Sequence, residues 1–248
     1  NKSSAVDITV CIDRSGSMQR MYEETISGVN KFIEEQQNTA NETNIPTNIT
    51  LKTFDDVSTI IPGFDACSIK DAPDLDYKYL QPRGMTMLID TAVNTLMEQN
   101  RRYTEWKLQG DNENKSMKRI FALLTDGDDN KSTLYTIKQL NDIITKFQND
   151  GVTCIFLGAN QDAIKQGQLY GFHEKYSMTY NQTKECAQNT FRSLSSQVSS
   201  ECKGEHNDGF SDLQRSASCP TPSTANDYND YNTFYDLKES NNGGLQRC

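Results

Sequence analysis

Ala5-Val6-Asp7-Ile8-Thr9-Val10-Cys11-Ile12-Asp13-Arg14-Ser15-Gly16-Ser17 is a mostly apolar run that ends in a carboxylate, two hydroxyls and a glycine. Such a run reads as a strand. Its closing turn presents oxygen atoms, the donors that a hard cation selects. A helical pattern follows at once: Met18, Tyr22, Ile26, Val29, Phe32 and Ile33 recur at helical spacing as far as Asn38, with Glu23, Glu24, Glu34 and Glu35 on a solvated face. Strand, oxygen-rich turn and helix together open a doubly wound sheet. Asp, Ser and Gly are also ordinary turn residues, so the metal reading needs further ligands from the rest of the chain. Gly28 within the helix costs about 1 kcal/mol relative to Ala, which a close approach to the sheet would offset.

Downstream, the chain keeps alternating between the two periodicities. Ile49-Thr50-Leu51-Lys52-Thr53-Phe54 reads as a strand, Asp55-Asp56 as a turn, and Val57-Ser58-Thr59-Ile60-Ile61 as its hairpin partner at a sheet edge. Residues 62–85 are irregular, punctuated by Pro62, Pro73, Pro82 and Gly84. Leu88, Ile89, Ala92, Val93, Leu96 and Met97 mark a second helix, and the charged segment from Arg101 to Lys118 reads as a surface excursion. Arg119-Ile120-Phe121-Ala122-Leu123-Leu124 is a near-continuous apolar strand ending in Thr125-Asp126-Gly127-Asp128-Asp129. A helix through Leu134, Ile137, Leu140, Ile144 and Phe147 and a strand from Val152 to Gly158 come next. A short helix from Gln161 to Tyr170, a strand from Lys175 to Tyr180 and a helix from Thr183 to Val198 complete the series. The expected fold is α/β: a doubly wound, mostly parallel sheet with one antiparallel edge strand and helices on both faces.

The 248 residues fit one domain over 1–200 and a polar extension over 201–248 that contains neither Val nor Ile. Within the extension, Tyr228, Tyr231, Phe234 and Tyr235 are three or four apart and would share a face if that segment were helical. The chain carries 34 acidic and 25 basic residues, a net charge of −9, which argues against nucleic acid or an anionic membrane as partner. No apolar run approaches the roughly 20 residues that cross a bilayer. None of the seven cysteines forms a C-x-x-C pair, so neither a zinc nor a thioredoxin signature is present. Cys11 and Cys154 read as buried free thiols, whereas Cys202, Cys219 and Cys248 could pair in an oxidising compartment. The state of Cys67 and Cys186 is open at this level. The cysteine pattern favours an intracellular protein over a secreted one, and the Asn-rich extension points to a place inside a viral or multi-subunit assembly.

In an open parallel sheet, ligands bind beyond the carboxyl ends of the strands. Asp13, Ser15 and Ser17 end the first strand, Asp126 follows the Ile120–Leu124 strand, and Thr86 precedes the second helix. Two carboxylates and three hydroxyls with no His or Cys select Mg2+, Mn2+ or Ca2+. An ion held largely by neutral hydroxyls stays electrophilic and keeps a place for an outside anion, such as an Asp or Glu of a partner protein.

Asp13-x-Ser15-x-Ser17, Thr86 and Asp126 together resemble the metal-ion-dependent adhesion site of von Willebrand factor A domains, the module of integrin I domains. The resemblance covers residues 4–200. It extends through Thr25-Ile26-Ser27-Gly28-Val29-Asn30-Lys31-Phe32-Ile33-Glu34-Glu35 and Leu157-Gly158-Ala159-Asn160-Gln161-Asp162-Ala163-Ile164, which are similar to bacterial-type stand-alone members. It implies that Ser15 and Ser17 bind Mg2+ directly, that Thr86 does so in the ligand-engaged state, and that Asp13 and Asp126 act directly or through water. It also implies a central first strand beside the Ile120–Leu124 strand, with the Val152–Leu157 strand next. Cys11 and Cys154 would then lie about 9–10 Å apart, too far for a disulfide.

The leading expectation is a metal-dependent protein-binding module without enzymatic activity. The alternative is a structural subunit of a larger assembly that contacts its neighbours through residues 201–248. Metal-assisted phosphoryl transfer fits less well, because Asp13-x-Ser15 lacks a second carboxylate and no glycine-rich phosphate loop with Lys occurs. Candidate partner contacts are Arg83, Asp128, Tyr228, Tyr231 and Tyr235. Arg83 can equally be a loop charge, Asp128 and Asp129 a solvated turn, and Trp106 a local packing residue, while spacing does not fix the role of Asp90.

Overall fold

A computed structural model describes residues 4–109, 112, 114–159 and 162–220. Tyr228, Tyr231, Phe234, Tyr235 and Cys248 lie outside the described residues. Strand β1 (Ala5–Asp13) is followed by a short 3-10 turn (Gly16–Arg20) and helix α1 (Tyr22–Thr43). Then come β2 (Thr47–Phe54), β3 (Ser58–Ile60), β4 (Cys67–Ser68), α2 (Leu88–Leu108) and β5 (Met117–Thr125). The chain continues through α3 (Ile137–Asn149), β6 (Val152–Ala159), α4 (Ala163–Tyr170), β7 (Ser177–Tyr180), α5 (Lys184–Lys203) and α6 (Asp212–Ser218).

Among these residues the strands form one sheet in the order β3-β2-β1-β5-β6-β7, with β4 also on β2. The β1–β2, β1–β5, β5–β6 and β6–β7 pairs are parallel. At the β2 edge, β3 and the two-residue β4 are both antiparallel, so the expected single antiparallel strand is two short pieces. Sheet alternation explains the two cores. Val6, Ile8, Val10 and Ile12 of β1, with Ile120, Ala122 and Leu124 of β5, face α1 and α5. Cys11, Phe121 and Leu123 point the other way, onto α2, α3 and α4. A one-residue slip would exchange these faces. Cys11 and Cys154 are both buried and free, on strands separated by β5.

Several local expectations change. The segment after Arg101 is not an excursion until Gln109, because α2 runs to Leu108. Two of its polar residues have partners beneath: Arg102 reaches the Asp7 carboxylate at 3.2 Å and Thr9 Oγ1 at 3.0 Å, and Gln99 donates to the carbonyls of Asp7 and Ile120. Trp106 is half-buried on this helix and stacks with Tyr103. Gly28 approaches not the sheet but α5, where an added Cβ would lie 2.0 Å from Phe191 Cδ2.

The boundary placed at 200 falls inside α5, which ends at Lys203, and residues 204–219 stay on the domain. Phe210 is buried, and Arg215 donates to the carbonyls of Phe210, Ser177, Glu174 and Lys175. A polar composition is compatible with this docking, because the contacts are hydrogen bonds to backbone carbonyls, from the Arg215 side chain and from backbone N–H groups, and one aromatic anchor rather than an apolar face. No helix among the described residues is long and apolar enough to cross a membrane.

Candidate metal centre

The crest lies where connections from β1 and β5 diverge, β1 leading through α1 to β2 on one side and β5 through α3 to β6 on the other. Asp13 ends β1 and is 1 % exposed. Its two oxygens are already committed, one accepting from the Ser15 N–H at 2.7 Å and the other from Thr125 Oγ1 at 2.7 Å. Ser15 Oγ lies 3.1 Å from Ser17 Oγ, and Ser17 Oγ donates to Asp126 Oδ1 at 2.6 Å. Gln182, beyond β7, donates to Asp126 Oδ2 at 3.2 Å. Asp13, Ser15, Ser17 and Asp126, which come from two separate segments, therefore form one hydrogen-bonded run, joined through the Ser15 N–H and the two serine hydroxyls.

Thr86 is buried on the loop before α2, and that loop is stitched to its surroundings. The Arg83 N–H donates to the Arg14 carbonyl at 2.9 Å, and the Gly16 N–H to the Gly84 carbonyl at 3.2 Å. On the other side, the Thr86 N–H donates to Asn130 Oδ1 at 2.8 Å, and the Asn130 N–H returns to the Thr86 carbonyl at 3.0 Å. Gly84 has φ +66°, and a Cβ there would lie 2.3 Å from Asp56 Oδ2, so this corner of the loop requires glycine.

Electrostatics favour a cation here. Burial pushes the Asp13 carboxyl up to about 6, against the pull of its hydrogen bonds from Thr125 and Ser15, and the Asp126 charge raises it further. Burial also raises Asp126. The hydrogen bonds to this pair come from hydroxyls, a backbone N–H and an amide, while the neighbouring cation, Arg14, turns away to Asp55 at 2.8 Å. Tyr180 at the end of β7 is buried with its hydroxyl unpartnered. Burial and then the charges of Asp126 and Asp13 raise its pKa. Among the described residues no three His, Cys, Asp or Glu side chains gather into a charged cage. That matches the donor set here, two carboxylates completed by hydroxyls. A buried and a half-buried carboxylate, adjacent hydroxyls and an unpaired buried hydroxyl fit a divalent ion with oxygen ligands.

Arg83 and Asp128 take different places. Arg83 Nε is held by Asp55 Oδ2 at 2.7 Å, but the side chain is 62 % exposed, so its tip reaches solvent beside the Thr86 loop. Asp128 is exposed on the loop after Asp126. Asp129 is not a solvated turn residue: its Oδ1 accepts from the Leu88 and Ile89 N–H groups at 2.9 and 3.1 Å and caps α2. Asp90 answers from α2, accepting from the N–H groups of Thr133, Leu134 and Tyr135. Sequence reading missed Thr125, Gln182, Asn130 and Tyr180. Thr125 could have been found as the residue next to Asp126, whereas Gln182 carries no local signal, because only the placement of β7 brings it to the crest.

The profile of the von Willebrand factor type A domain matches residues 7–197. No curated protein sequence matches the chain. Among solved structures, the fold is similar to proximal thread matrix protein 1 from the mussel byssus, with 18 % identity, a TM-score of 0.55, and coverage of 81 % of this chain and 48 % of that one. A form of the mussel protein with a zinc-occupied metal-ion-dependent adhesion site gives 17 % identity and a TM-score of 0.53, covering 79 % of this chain and 46 % of that one. The pilus adhesin SpaC from Lactobacillus rhamnosus GG gives 16 % identity and a TM-score of 0.58, covering 80 % of this chain and 31 % of the adhesin. The chain thus spans less than half the length of each of these proteins.

Proposed function

The chain belongs to the von Willebrand factor type A family, and on that premise we propose that it is a metal-dependent protein-interaction module whose crest cation accepts a carboxylate from a partner. The observation that carries the reading is the hydrogen-bonded run of Asp13, Ser15, Ser17 and Asp126, with Asp13 buried and Asp126 half-buried at the sheet's switch point. Asp13, Ser15, Ser17, Thr86 and Asp126 would hold the ion. When bound, it supplies a Lewis-acidic point for an Asp or Glu side chain. The hydroxyls leave that point electrophilic, because they bring no charge of their own.

Oxygen donors favour Mg2+ or Mn2+, with Ca2+ as the larger alternative. The mussel relative with zinc at its own site supports a divalent ion in this fold without choosing among them. The exposed tip of Arg83 offers a second anchor to an acidic partner, and Asp128 on the opposite loop would repel acid and so orient the bound segment. The reading is one of binding rather than turnover, since both crest carboxylates are engaged by hydrogen bonds from neighbouring residues.

The test is partner capture by the purified chain in Mg2+. Asp13→Ala and Ser15→Ala abolish capture while circular dichroism stays unchanged, and EDTA does the same to the unsubstituted chain. Capture that survives both EDTA and these substitutions would sink the proposal.

A further inference from the structure

We infer that Asn130 is a positioning residue for the metal centre: it sets where Thr86 stands relative to Asp126. The inference rests on the metal reading above and goes beyond it, because Asn130 belongs to none of the five ligand positions.

Asn130 meets both backbone polar groups of Thr86. Its Oδ1 accepts from the Thr86 N–H at 2.8 Å, and its own N–H donates to the Thr86 carbonyl at 3.0 Å. Thr86 is 3 % exposed, so these groups have little access to water, and loss of the side-chain acceptor would strand a nearly buried donor. Asn130 lies four residues after Asp126, so a single residue links the loops that carry two ligands from different parts of the chain.

Asn130 is itself held on both sides. Asp129 is fixed to the first N–H groups of α2, and Ser132 Oγ donates to Asp129 and accepts from the Asp90 N–H at 2.9 Å. The Asp90 carboxylate then pins residues 133–135. The segment from 129 to 135 and the start of α2 thus form a reciprocal brace, and Asn130 is where that brace touches a ligand residue. A ligand residue whose backbone is held this way stays placed before the ion arrives, so ordering the loop that carries it does not weaken binding.

The experiment is calorimetric titration of Mg2+, and separately Mn2+, into the full chain and its variants, with melting temperatures recorded in EDTA. Asn130→Ala weakens Mg2+ about tenfold, the lower end for outer-shell partners of a metal site. Asn130→Asp, which keeps the acceptor oxygen, stays within about threefold of the parent or binds more tightly. Because Asn130 acts through Thr86, Asn130→Ala adds less than about twofold in a Thr86→Ala background. If Asn130→Ala does not fold, Asn130→Ser, whose hydroxyl is shorter by one bond, takes its place. Affinity unchanged in Asn130→Ala, a full additive loss on top of Thr86→Ala, or Asn130→Asp as weak as Asn130→Ala would each overturn the inference. A parent chain that takes up neither ion refutes the metal reading instead, which separates the two failures.

Discussion

Replacing Gly28 by alanine sets helix propensity against packing, and the structure fixes the sign. In an exposed helix the change would stabilise by about 1 kcal/mol. Here the new Cβ would stand 2.0 Å from Phe191 Cδ2, 2.4 Å from Cε2 and 2.5 Å from Cγ. Cγ is the ring atom nearest the α5 backbone, so rotating the ring tip alone does not clear the clash. Phe191 is 4 % exposed and must swing towards the groove lined by Ser27, Lys31, Gln188 and Arg192, or α5 must move off α1. Overpacking of this kind costs about 1–3 kcal/mol, and a contact this short belongs in the upper half of that range. Subtracting the propensity gain leaves Gly28→Ala destabilised by about 1–2 kcal/mol. Urea denaturation of Gly28→Ala, Phe191→Leu and the double variant measures it. The double variant should regain at least about 1 kcal/mol relative to additivity, since the smaller side chain makes room. A Gly28→Ala variant as stable as the parent, or additive energies in the cycle, would refute the reasoning.

Two further outcomes follow from named contacts. Burial alone would raise the pKa of Asp55, but the hydrogen bond from Arg83, the Val57 N–H and the charges of Arg14 and Arg83 hold it below its ordinary 3.8. A depressed folded pKa contributes stability that is complete above about 3.8 and is lost as pH falls through the lower folded value. Asp55→Asn should therefore cost about 2–3 kcal/mol at pH 7, near the lower end for breaking a buried pair because Arg83 is exposed. In denaturant titrations the gap from the parent should close below pH 3.8, and a gap that stays constant down to pH 2.5 would contradict it. Arg215→Ala removes four donations to the carbonyls of Phe210, Ser177, Glu174 and Lys175. Its local opening energy falls by about 2 kcal/mol, or roughly thirtyfold faster amide exchange over residues 210–219; unchanged protection there would show that the segment is held by other contacts.

The residues proposed as crest ligands were legible as candidates because each sits where a periodicity changes. Asp13 ends an apolar run, Asp126 ends another, and Thr86 stands just before a helical stripe. The length of α2 was not legible: the sequence after Arg101 reads as surface, yet Arg102 is drawn inward by Asp7 and Thr9 on the neighbouring strand. For the same reason Asp129 reads as a turn residue until the start of α2 is placed beside it. Gly28 shows a subtler gap, since a close approach at that position is legible in the sequence but reads as one to the sheet, whereas Phe191 of α5 makes it.

What the sequence determined by itself is the alternation of strand and helix and the oxygen donors at the strand ends, because hydrophobic period and residue chemistry are local properties. What only the tertiary structure decided is which distant groups orient those donors. Thr125, Gln182, Asn130 and Tyr180 reach the crest through strand order and loop stitching, and a residue's hydrogen-bond partner 44 or 56 positions away is set by the fold, not by its neighbours in the chain.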